Sequence, residues 1–295
     1  MNYSKKVLVT GATGLIGKEL IEPLKEAGFE IYAISTKERI SCEKIKYIKA
    51  NLHDHTEIDN IMAKIKPEYL LHLAWCVTGY FNDNLNFDFL VSSINLLKSF
   101  HKHGGKRAIM TGTYAEYGEN CSLLDEEFDT RPMNLYSKCK NHLNKIATDY
   151  SNANNLSFGW ARIFSAYGFE TDKRRLTADV IEHLKNNEEV YIKSGSLIRD
   201  YIYVKDVSYA LVKFLDSNVE GAVNICSGEG TSIKDYVLTI AKIMEKEGLI
   251  KFNEQQSNQQ NIVVGKNIRL TKEIGYKLKY SLEDGIKEIL EEYYD

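Results

Sequence analysis

Short apolar segments alternate with longer segments of helical periodicity through the first half of this 295-residue chain. The pattern predicts strands at residues 5–10, 30–34, 45–49, 69–74, 107–111 and 156–162, and helices at 15–27, 56–65, 84–103 and 135–153. Such alternation is typical of a parallel sheet with helices on both faces. The run Leu70-Leu71-His72-Leu73-Ala74 has the continuous apolar character of a strand that is buried on both sides.

The periodicity is less regular after about residue 165. Here it predicts a helix at 176–186, a strand at 189–192, a helix from Asp206 to about 216, a strand at 222–225, and helices at 233–247 and 281–294. Ser232 and Ser281 are the expected N-caps of the last two helices. The Asn/Gln-rich residues 253–261 are expected to form a loop.

A glycine-rich motif joins the first predicted strand to the first predicted helix. Residues 10–17 read Thr-Gly-Ala-Thr-Gly-Leu-Ile-Gly. Gly11 permits a tight turn, Gly14 lets a phosphate approach the backbone, and Gly17 lets the helix pack close to the strand. The helix N-terminus would then face a pyrophosphate. The motif predicts a dinucleotide site, with an ordinary glycine-rich turn as the alternative.

This pattern predicts an α/β architecture: a Rossmann-type doubly wound parallel sheet with a smaller C-terminal α/β substrate-binding lobe. We expect the dinucleotide-binding domain to occupy residues 1–165, with residues of about 198–226 returning to it. Residues 166–295 would form the smaller lobe.

Composition narrows the possible partners and surroundings. The net charge is −3 and the pI is near 6.2, so we expect no nucleic-acid partner. No apolar run is long enough for a membrane span, and no secretory signal opens the chain, so we expect a cytoplasmic protein. The five dispersed cysteines indicate free thiols, and neither they nor the histidines have the spacing of a metal site. His53 and His55 flank an expected helix cap, and His101 and His103 end a helix.

Tyr136 and Lys140 are the strongest candidates for acid–base chemistry. Four residues apart, they share one face of a predicted helix. An ammonium beside a phenol lowers the tyrosine pKa, which suits Tyr136 to proton transfer near neutral pH. Thr113 follows a predicted strand and would lie at the carboxyl edge of the sheet, where ligands bind in doubly wound folds. A solvated helix face is the alternative explanation of the Tyr/Lys pair.

Along essentially its whole length, the chain resembles the extended short-chain dehydrogenases/reductases of the nucleotide-sugar epimerase, dehydratase and reductase superfamily. The matching segments are Thr10–Gly17, Asn51-Leu52, His72–Ala74, Asn95, Thr113, Tyr117-Gly118, Tyr136, Lys140, Ala161–Gly168, Ile198–Val207, Ile274–Tyr276 and Tyr280–Ile286.

The resemblance implies roles for these positions. Tyr136 would be the catalytic acid/base, Lys140 would tune it and bind the nicotinamide ribose, and Thr113 would be the catalytic Ser/Thr. The expected cofactor contacts are Gly11, Thr13, Gly14, Leu15, Ile16, Gly17, Ser35, Lys37, Arg39, Asn51, Leu52, Leu73, Ala74 and Trp75, together with Tyr136 and Lys140. The family usually has Asp-Leu where this chain has Asn51-Leu52, the pair that would lie near the adenine.

The substrate side follows from the same resemblance. Arg199 would grip the nucleotide diphosphate of the substrate, unless it forms a surface ion pair with Asp200 or Asp206. The expected substrate contacts are Thr78, Tyr114, Ser165, Arg175, Leu176 and Arg199. A homodimer through helices 84–103 and 135–153 is also implied, and the apolar width of these helices fits it.

Three departures from the family pattern narrow the function. Ser35 stands where NAD-preferring relatives carry Asp; with Lys37 and Arg39 nearby, it favours NADP over NAD. A charged loop is the alternative there. Glu116 comes one position too late for the acid pair of a 4,6-dehydratase.

The third departure is Ser165 in place of the Asn frequent in epimerases, together with Arg174-Arg175-Leu176. These residues resemble those of 4-ketoreductases such as CDP-abequose and CDP-paratose synthases and dTDP-4-keto-6-deoxyhexose reductases. The sequence therefore predicts NADP(H)-dependent reduction of a nucleotide-linked 4-keto-6-deoxyhexose in surface-polysaccharide synthesis. An NAD-dependent 4-epimerase, a 4-dehydrogenase and a dinucleotide-sensing regulatory protein are the alternatives.

Overall fold

The computed structural model describes residues 5–42, 45–76, 81–118, 122–170, 172, 174–252 and 262–294. The predicted loop at 253–261 lies outside them. The strands are β1 Lys5–Thr10, β2 Phe29–Ser35, β3 Ile45–Lys49, β4 Tyr69–His72, β5 Arg107–Thr113, β6 Ser122–Leu124, β7 Ser157–Ile163, β8 Ser165–Tyr167, β9 Val190–Ile192, β10 Ile198–Arg199, β11 Tyr201–Tyr203, β12 Gly221–Ile225, β13 Thr231–Ser232, β14 Ile250–Phe252 and β15 Ile262–Gly265.

The helices are α1 Leu15–Glu19, α2 Ile21–Glu26, α3 His55–Ile65, α4 Leu85–Lys102, α5 Leu135–Ala153, α6 Leu176–Lys185, α7 Val204–Leu215, α8 Ile233–Ile243 and α9 Leu282–Tyr294. Short 3₁₀ turns occur at Tyr114–Tyr117 and Glu247–Leu249, and a π-helical turn at Arg269–Glu273.

Seven parallel strands form the main sheet in the order β12-β7-β5-β4-β1-β2-β3. The direction of winding reverses at β1, which has β2 on one side and β4 on the other. In doubly wound folds this reversal opens a crevice beyond the carboxyl ends of the strands. The predicted Rossmann-type α/β fold is confirmed.

Both faces of this sheet are covered. Successive side chains of a strand point to opposite faces, so Val7 and Val9 pack in one core cluster with Leu211 of α7. Leu8 lies in a second cluster with Phe100 of α4. Double coverage explains why the central strands are apolar along their whole length.

The smaller lobe is made of short pieces. It contains a four-stranded sheet in the order β13-β10-β15-β6, the pairs β11-β8 and β14-β9, and helices α6, α8 and α9 around a third apolar cluster. Between β11 and β13 of this lobe, the chain returns to the main sheet and forms β12 beside β7. The domain boundaries at 165 and 166 stay a prediction.

The long elements agree with the pattern, with four differences. The predicted helix at 15–27 is broken at Leu20, because Pro23 has no N–H to donate to Glu19 and its ring crowds that carbonyl. The strand predicted at 69–74 ends at His72. The helix predicted to start at Asp206 starts at Val204. The helix predicted to reach 247 ends at Ile243, two residues before Glu245 takes a φ of 56°.

Helix caps follow the sequence closely. Asp54 accepts a hydrogen bond from Glu57 N (2.9 Å) at the start of α3. Ser232 Oγ accepts from Asp235 N (2.9 Å) and Ser281 Oγ from Asp284 N (3.1 Å). These short side chains satisfy backbone N–H groups that a first helical turn leaves without partners.

Candidate active site

The glycine motif forms the loop between β1 and α1. Gly11 has a φ of 75°, and a Cβ there would lie 2.7 Å from Ala74 N. A Cβ on Gly17 would lie 2.0 Å from Gly11 O, so this position admits only glycine. At Gly14, by contrast, a Cβ would meet only Gly11 O, at 3.4 Å. The protein's own packing therefore explains Gly11 and Gly17, whereas Gly14 faces open space.

Helix α1 begins at this loop. Gly14 is its N-cap, and among the described residues no side chain caps it. The first N–H groups of an α-helix have no partner within the helix. They are directed toward the carboxyl edge of the sheet, where an anion would satisfy them.

A cleft of about 600 Å³ opens at this edge. It brings together most of the residues predicted from sequence, drawn from both halves of the chain. Those lining it are Gly11, Thr13, Gly14, Leu15, Ile16, Gly17, Ser35, Asn51, Leu52, Leu73, Ala74, Trp75, Thr113, Tyr114, Tyr136, Lys140, Ser165, Arg175 and Leu176.

Some predicted contacts lie elsewhere. Lys37 and Arg39 are exposed and are not among the described residues that line the cleft, although Thr36 is. Arg199 is also outside the lining; its Nη1 donates to Ile198 O (2.8 Å). Thr78 lies outside the described residues.

The two carboxylates considered as partners of Arg199 are engaged with backbone. Asp200 accepts from Ser227 N (2.7 Å), Gly228 N (3.0 Å) and Gly265 N (3.1 Å). Asp206 accepts from Lys279 N and Tyr280 N, and from the phenol of Tyr276. Both carboxylates therefore stabilise loops of the smaller lobe through these hydrogen bonds.

Lys140 is buried, with 2% of its surface exposed. Its Nζ donates to Thr111 O (2.8 Å) and lies 4.0 Å from the centroid of the Trp75 ring. Burial lowers the pKa of Lys140 to about 7, against the opposing effect of the Glu116 carboxylate. A lysine of this kind changes charge near neutral pH and is sensitive to any ligand that enters the cleft.

Tyr136 stands in the first turn of α5. Asn134 caps that helix by accepting from Ser137 N (2.9 Å), and Tyr136 N donates to Phe81 O (2.9 Å). The Tyr136 ring meets Trp75 and Phe81 edge to face, each at 6.4 Å between centroids. Trp75 thus contacts both members of the predicted pair, with Lys140 over its ring face and Tyr136 in a T-shaped arrangement.

Thr113 ends β5 and is followed by the 3₁₀ turn. Its Oγ1 accepts from Ala115 N (3.2 Å), and its backbone N–H donates to Glu116 Oε1 (2.9 Å). Glu116 is fully buried and pairs with Arg162, whose Nε lies 3.0 Å from Oε2. Sequence reasoning assigned no role to Arg162, because 46 residues separate it from Glu116.

His72 does not itself line the cleft, but it contacts Thr10, which does. It lies at the end of β4, where Nδ1 is 2.6 Å from Thr10 Oγ1 and Nε2 is 2.8 Å from Ser93 Oγ. Burial lowers the pKa of His72 to about 3, so the ring is neutral. Thr10 Oγ1 in turn accepts from Ala74 N (3.3 Å), which links the histidine to the chain opposite Gly11.

No group of three or more His, Cys, Asp or Glu side chains suited to a metal ion occurs in the described part of the chain. None of the helices in that part is long and apolar enough to cross a membrane.

The doubly wound sheet, the glycine loop at its switch point and the Thr113, Tyr136 and Lys140 cleft define a Rossmann-type dinucleotide-binding protein of the short-chain dehydrogenase/reductase class. Residues 7–226 match the NAD dependent epimerase/dehydratase family, and the chain belongs to that family.

Relatives in this family carry out several reactions on nucleotide sugars. The chain is 26% identical to GDP-6-deoxy-D-talose 4-dehydrogenase of Aggregatibacter actinomycetemcomitans, over 98% of this chain and 97% of that protein. It is 24% identical to CDP-abequose synthase of Salmonella typhimurium, over 98% and 99%. The fold matches the Thermus thermophilus UDP-glucose 4-epimerase in complex with NAD, with a TM-score of 0.87, 22% identity and coverage of 98% and 99%.

Proposed function

We propose that this protein is an NADP(H)-dependent 4-ketoreductase, which reduces a nucleotide-linked 4-keto-6-deoxyhexose to the 4-hydroxy sugar. One observation carries the proposal: Thr113, Tyr136 and Lys140 line the same cleft as the glycine loop. Relatives named for oxidation at C4 of a 6-deoxy sugar and for CDP-abequose synthesis cover nearly the whole chain, and the first of these reactions is our proposed one in reverse.

The residues present fit a nicotinamide dinucleotide. The uncapped N–H groups of α1 and the open approach at Gly14 suit its pyrophosphate. Asn51 and Leu52 would lie at the adenine, and Leu73, Ala74 and Trp75 along the middle of the cleft. When bound, the reduced nicotinamide supplies the hydride for C4.

Three side chains are proposed to bind and protonate the oxygen at C4. Because Thr113 Oγ1 already accepts from Ala115 N, its O–H can be donated to the substrate carbonyl. Tyr136 then donates the phenolic proton to the alkoxide. Lys140, held by Thr111 O and the Trp75 face, supports the phenolate that remains and binds the ribose.

The position of Glu116 argues against a 4,6-dehydratase. Elimination of water needs an acid that reaches the sugar, whereas this carboxylate is fully buried and paired with Arg162. The residues that follow Thr113 at the cleft are Tyr114 and Ala115, which carry no carboxylate.

An NADP preference is the finer part of the proposal. Ser35 lies at the end of β2 on the cleft, where an acidic side chain would repel a 2′-phosphate. Thr36 beside it adds a hydroxyl, whereas Lys37 and Arg39 are exposed beyond the cleft lining. A thermal-shift comparison of NADP with NAD tests this: the larger rise in Tm is expected with NADP, and an equal or larger rise with NAD overturns it.

The substrate is proposed to bind across the cleft from the glycine loop. Tyr114, Ser165, Arg175 and Leu176 line the cleft there. Arg199 lies outside this lining and is the proposed diphosphate contact. The names of the relatives include GDP, CDP and UDP sugars, so an assay with several nucleotide sugars is needed to identify the base of the nucleotide.

A homodimer through α4 and α5 is part of the proposal. Leu85, Phe87 and Val91 of α4 are 42%, 52% and 49% exposed, and Ile146 of α5 is 45% exposed. Exposed apolar side chains grouped on two adjacent helices are typical of a subunit interface.

A 4-epimerase is the second candidate, because UDP-glucose 4-epimerases are among both the relatives and the structural matches. It would use the same three residues but regenerate its dinucleotide in each turnover. The experiment is incubation with NADPH and a panel of CDP-, dTDP-, GDP- and UDP-linked 4-keto-6-deoxyhexoses. We expect loss of the NADPH absorbance with at least one sugar.

A matched incubation with UDP-glucose and no added dinucleotide tests for 4-epimerase activity. Interconversion of 4-epimers by protein that retains tightly bound NAD, with no net oxidation of NADPH, would replace the reductase proposal by the epimerase. Absence of turnover in both arms would refute both enzymes and favour a dinucleotide-sensing protein.

A further inference from the structure

Glu116 takes no part in the proposed chemistry, yet its carboxylate lies directly beneath the cleft with no exposed surface. Oε1 accepts from Thr113 N (2.9 Å) and Trp160 Nε1 (3.0 Å), and Oε2 accepts from Arg162 Nε (3.0 Å). Burial raises the pKa of this carboxyl, whereas Arg162 and the N–H donors favour its charged form. A buried carboxylate costs free energy unless it is paired in this way.

The chain makes room for this carboxylate at Gly112. A Cβ on Gly112 would lie 2.2 Å from Trp160 Nε1 and 2.3 Å from Glu116 Oε1. Such distances exclude any side chain at this position. Gly112, Glu116 and Trp160 therefore form one interlocked unit around the residue that precedes Thr113.

The consequence falls on Thr113. Its N–H is held by Glu116 and its Oγ1 by Ala115 N, so both ends of the residue are fixed relative to the cleft. Arg162 extends the anchor to β7 and also donates to Tyr117 Oη (2.9 Å) and Glu126 O (3.2 Å). The backbone of Thr113, at the end of β5, is thus tied through Glu116 and Arg162 to β7.

We propose that Glu116 is a positioning residue, which holds the Thr113 hydroxyl in its substrate-facing orientation through the Thr113 N–H and the buried pair with Arg162. The proposal rests on the proposed function in that Thr113 contacts the substrate carbonyl. The same carboxylate favours the charged form of Lys140, which connects it to the second catalytic side chain.

Two substitutions separate positioning from stability. Glu116→Asp keeps the charge beside Arg162 but shortens the side chain by one methylene, so it cannot reach Thr113 N. Glu116→Gln keeps the reach and an acceptor for Thr113 N but leaves Arg162 without its counter-charge. Glu126→Gln is the matched control, because this half-buried glutamate accepts from Asn224 N (2.8 Å) and is not bonded to Thr113.

We expect Glu116→Asp to be the less active of the two variants and Glu116→Gln to be the less stable. We expect Glu116→Asp to lower kcat about tenfold to a hundredfold, with KM and the Kd of the dinucleotide within about twofold of wild type. Glu116→Gln should lose more Tm and less kcat, and Glu126→Gln should retain kcat. If kcat follows Tm across the three variants, Glu116 serves stability alone and the proposal is wrong.

A second readout does not depend on turnover. In protein labelled with ¹³C at the threonine methyls, the Thr113 signal is identified by its loss in Thr113→Ser. Couplings to this methyl should report one side-chain rotamer in wild type, Glu116→Gln and Glu126→Gln, and averaged rotamers in Glu116→Asp. An unchanged Thr113 rotamer in Glu116→Asp overturns the positioning role. This readout needs no substrate, so it stays decisive if wild-type protein turns over no sugar and only the proposed function has failed.

Wild-type protein supplies a test that needs no variant. The Thr113 N–H should exchange with solvent far more slowly than a loop amide, because it donates to a buried carboxylate. Rapid exchange at this amide would overturn the proposal, including in the case that Glu116→Asp does not fold.

Discussion

The glycine-loop side of the cleft is shaped by close backbone packing, whereas the opposite side is shaped by side chains. On the first side, Gly11 and Gly17 are required because neighbouring backbone atoms leave no space for a Cβ. On the second side, Tyr114, Arg175 and Tyr201 reach the cleft from separate parts of the chain. The comparison teaches that the glycine-loop side is specified by local backbone geometry, whereas the opposite side is specified by side chains that distant parts of the chain bring together.

The largest effect is expected at the junction of the two sides. Tyr136→Phe removes the phenolic proton but keeps the ring that packs on Trp75 and Phe81. We expect turnover to fall by about a thousandfold or more, with dinucleotide affinity nearly unchanged. Steady-state kinetics and calorimetric titration measure the two quantities.

Tyr150→Phe is the control for that prediction. It removes a phenol from the same helix, at a position where the hydroxyl meets His101 Nδ1 (3.1 Å) away from the cleft. Substantial turnover in Tyr136→Phe would show that another group supplies the proton.

The backbone side can be disrupted without removing any polar side chain. Gly17→Ala places a methyl group against Gly11 O and Ala12, which must shift the loop. We expect a loss of about 1–3 kcal/mol in the free energy of unfolding and at least about a tenfold weaker dinucleotide affinity. Gly248→Ala, where a Cβ meets nothing within 4 Å, should leave both unchanged. Equal effects at the two glycines would contradict the backbone account.

The side-chain side is tested by two adjacent arginines. Arg175 lines the cleft, whereas Arg174 is exposed and forms a pair with Asp172 (2.7 Å). Arg175→Ala should raise KM for the sugar substrate by about tenfold through a lost charge-assisted contact, with the dinucleotide Kd unaffected. Arg174→Ala should change neither. A larger effect at Arg174 would place the substrate outside the described cleft.

The smallest effect concerns stability. Since burial holds the pKa of Lys140 near 7 in the folded protein, against 10.5 unfolded, the unfolded state binds more protons between these values and stability rises with pH across that window. Lys140→Met removes this cost. We expect its Tm to exceed that of wild type by at least about 2 °C at pH 6, with the difference shrinking above pH 7.

His72 contributes to the pH dependence of both proteins, since its pKa of about 3 leaves it neutral in the folded state while the unfolded state gains a proton below about pH 6.5. This contribution is common to wild type and Lys140→Met, so it cancels in the difference in Tm. Thermal denaturation at a series of pH values gives the comparison. A lower Tm for Lys140→Met at pH 6 would mean that the bond to Thr111 O and the contact with Trp75 outweigh the cost of burial.

The sequence could predict the features that depend on local patterns, and it could not predict those that depend on contacts between distant residues. The strands of the main sheet and helices α3, α4 and α5 are long enough for periodicity to reveal them, and the glycine loop and the Tyr136 and Lys140 pair are local patterns. Strands β6, β8, β10, β11 and β13 contain only two or three residues each, too few for any period to appear.

The parts of the site that sequence reasoning missed are contacts between distant residues. Glu116 comes one position too late for the expected acid pair, and its partner Arg162 lies on the distant strand β7. No role was predicted for Gly112, where the absence of a Cβ makes room for that carboxylate. His72 looked like part of an apolar strand, although Thr10 and Ser93 hold both of its ring nitrogens. One signal was available: a charged or titratable residue within an otherwise buried segment needs a partner.

The late entry of β12 into the main sheet has a consequence for how the protein is made. Strand β7 has β5 on one side and β12 on the other, and six of its seven residues are buried. Until the ribosome has released residue 225, β7 is an exposed apolar edge, open to pairing with other chains. The main sheet therefore cannot be completed before β12 has been synthesised, and a chain that stops at residue 165 should aggregate.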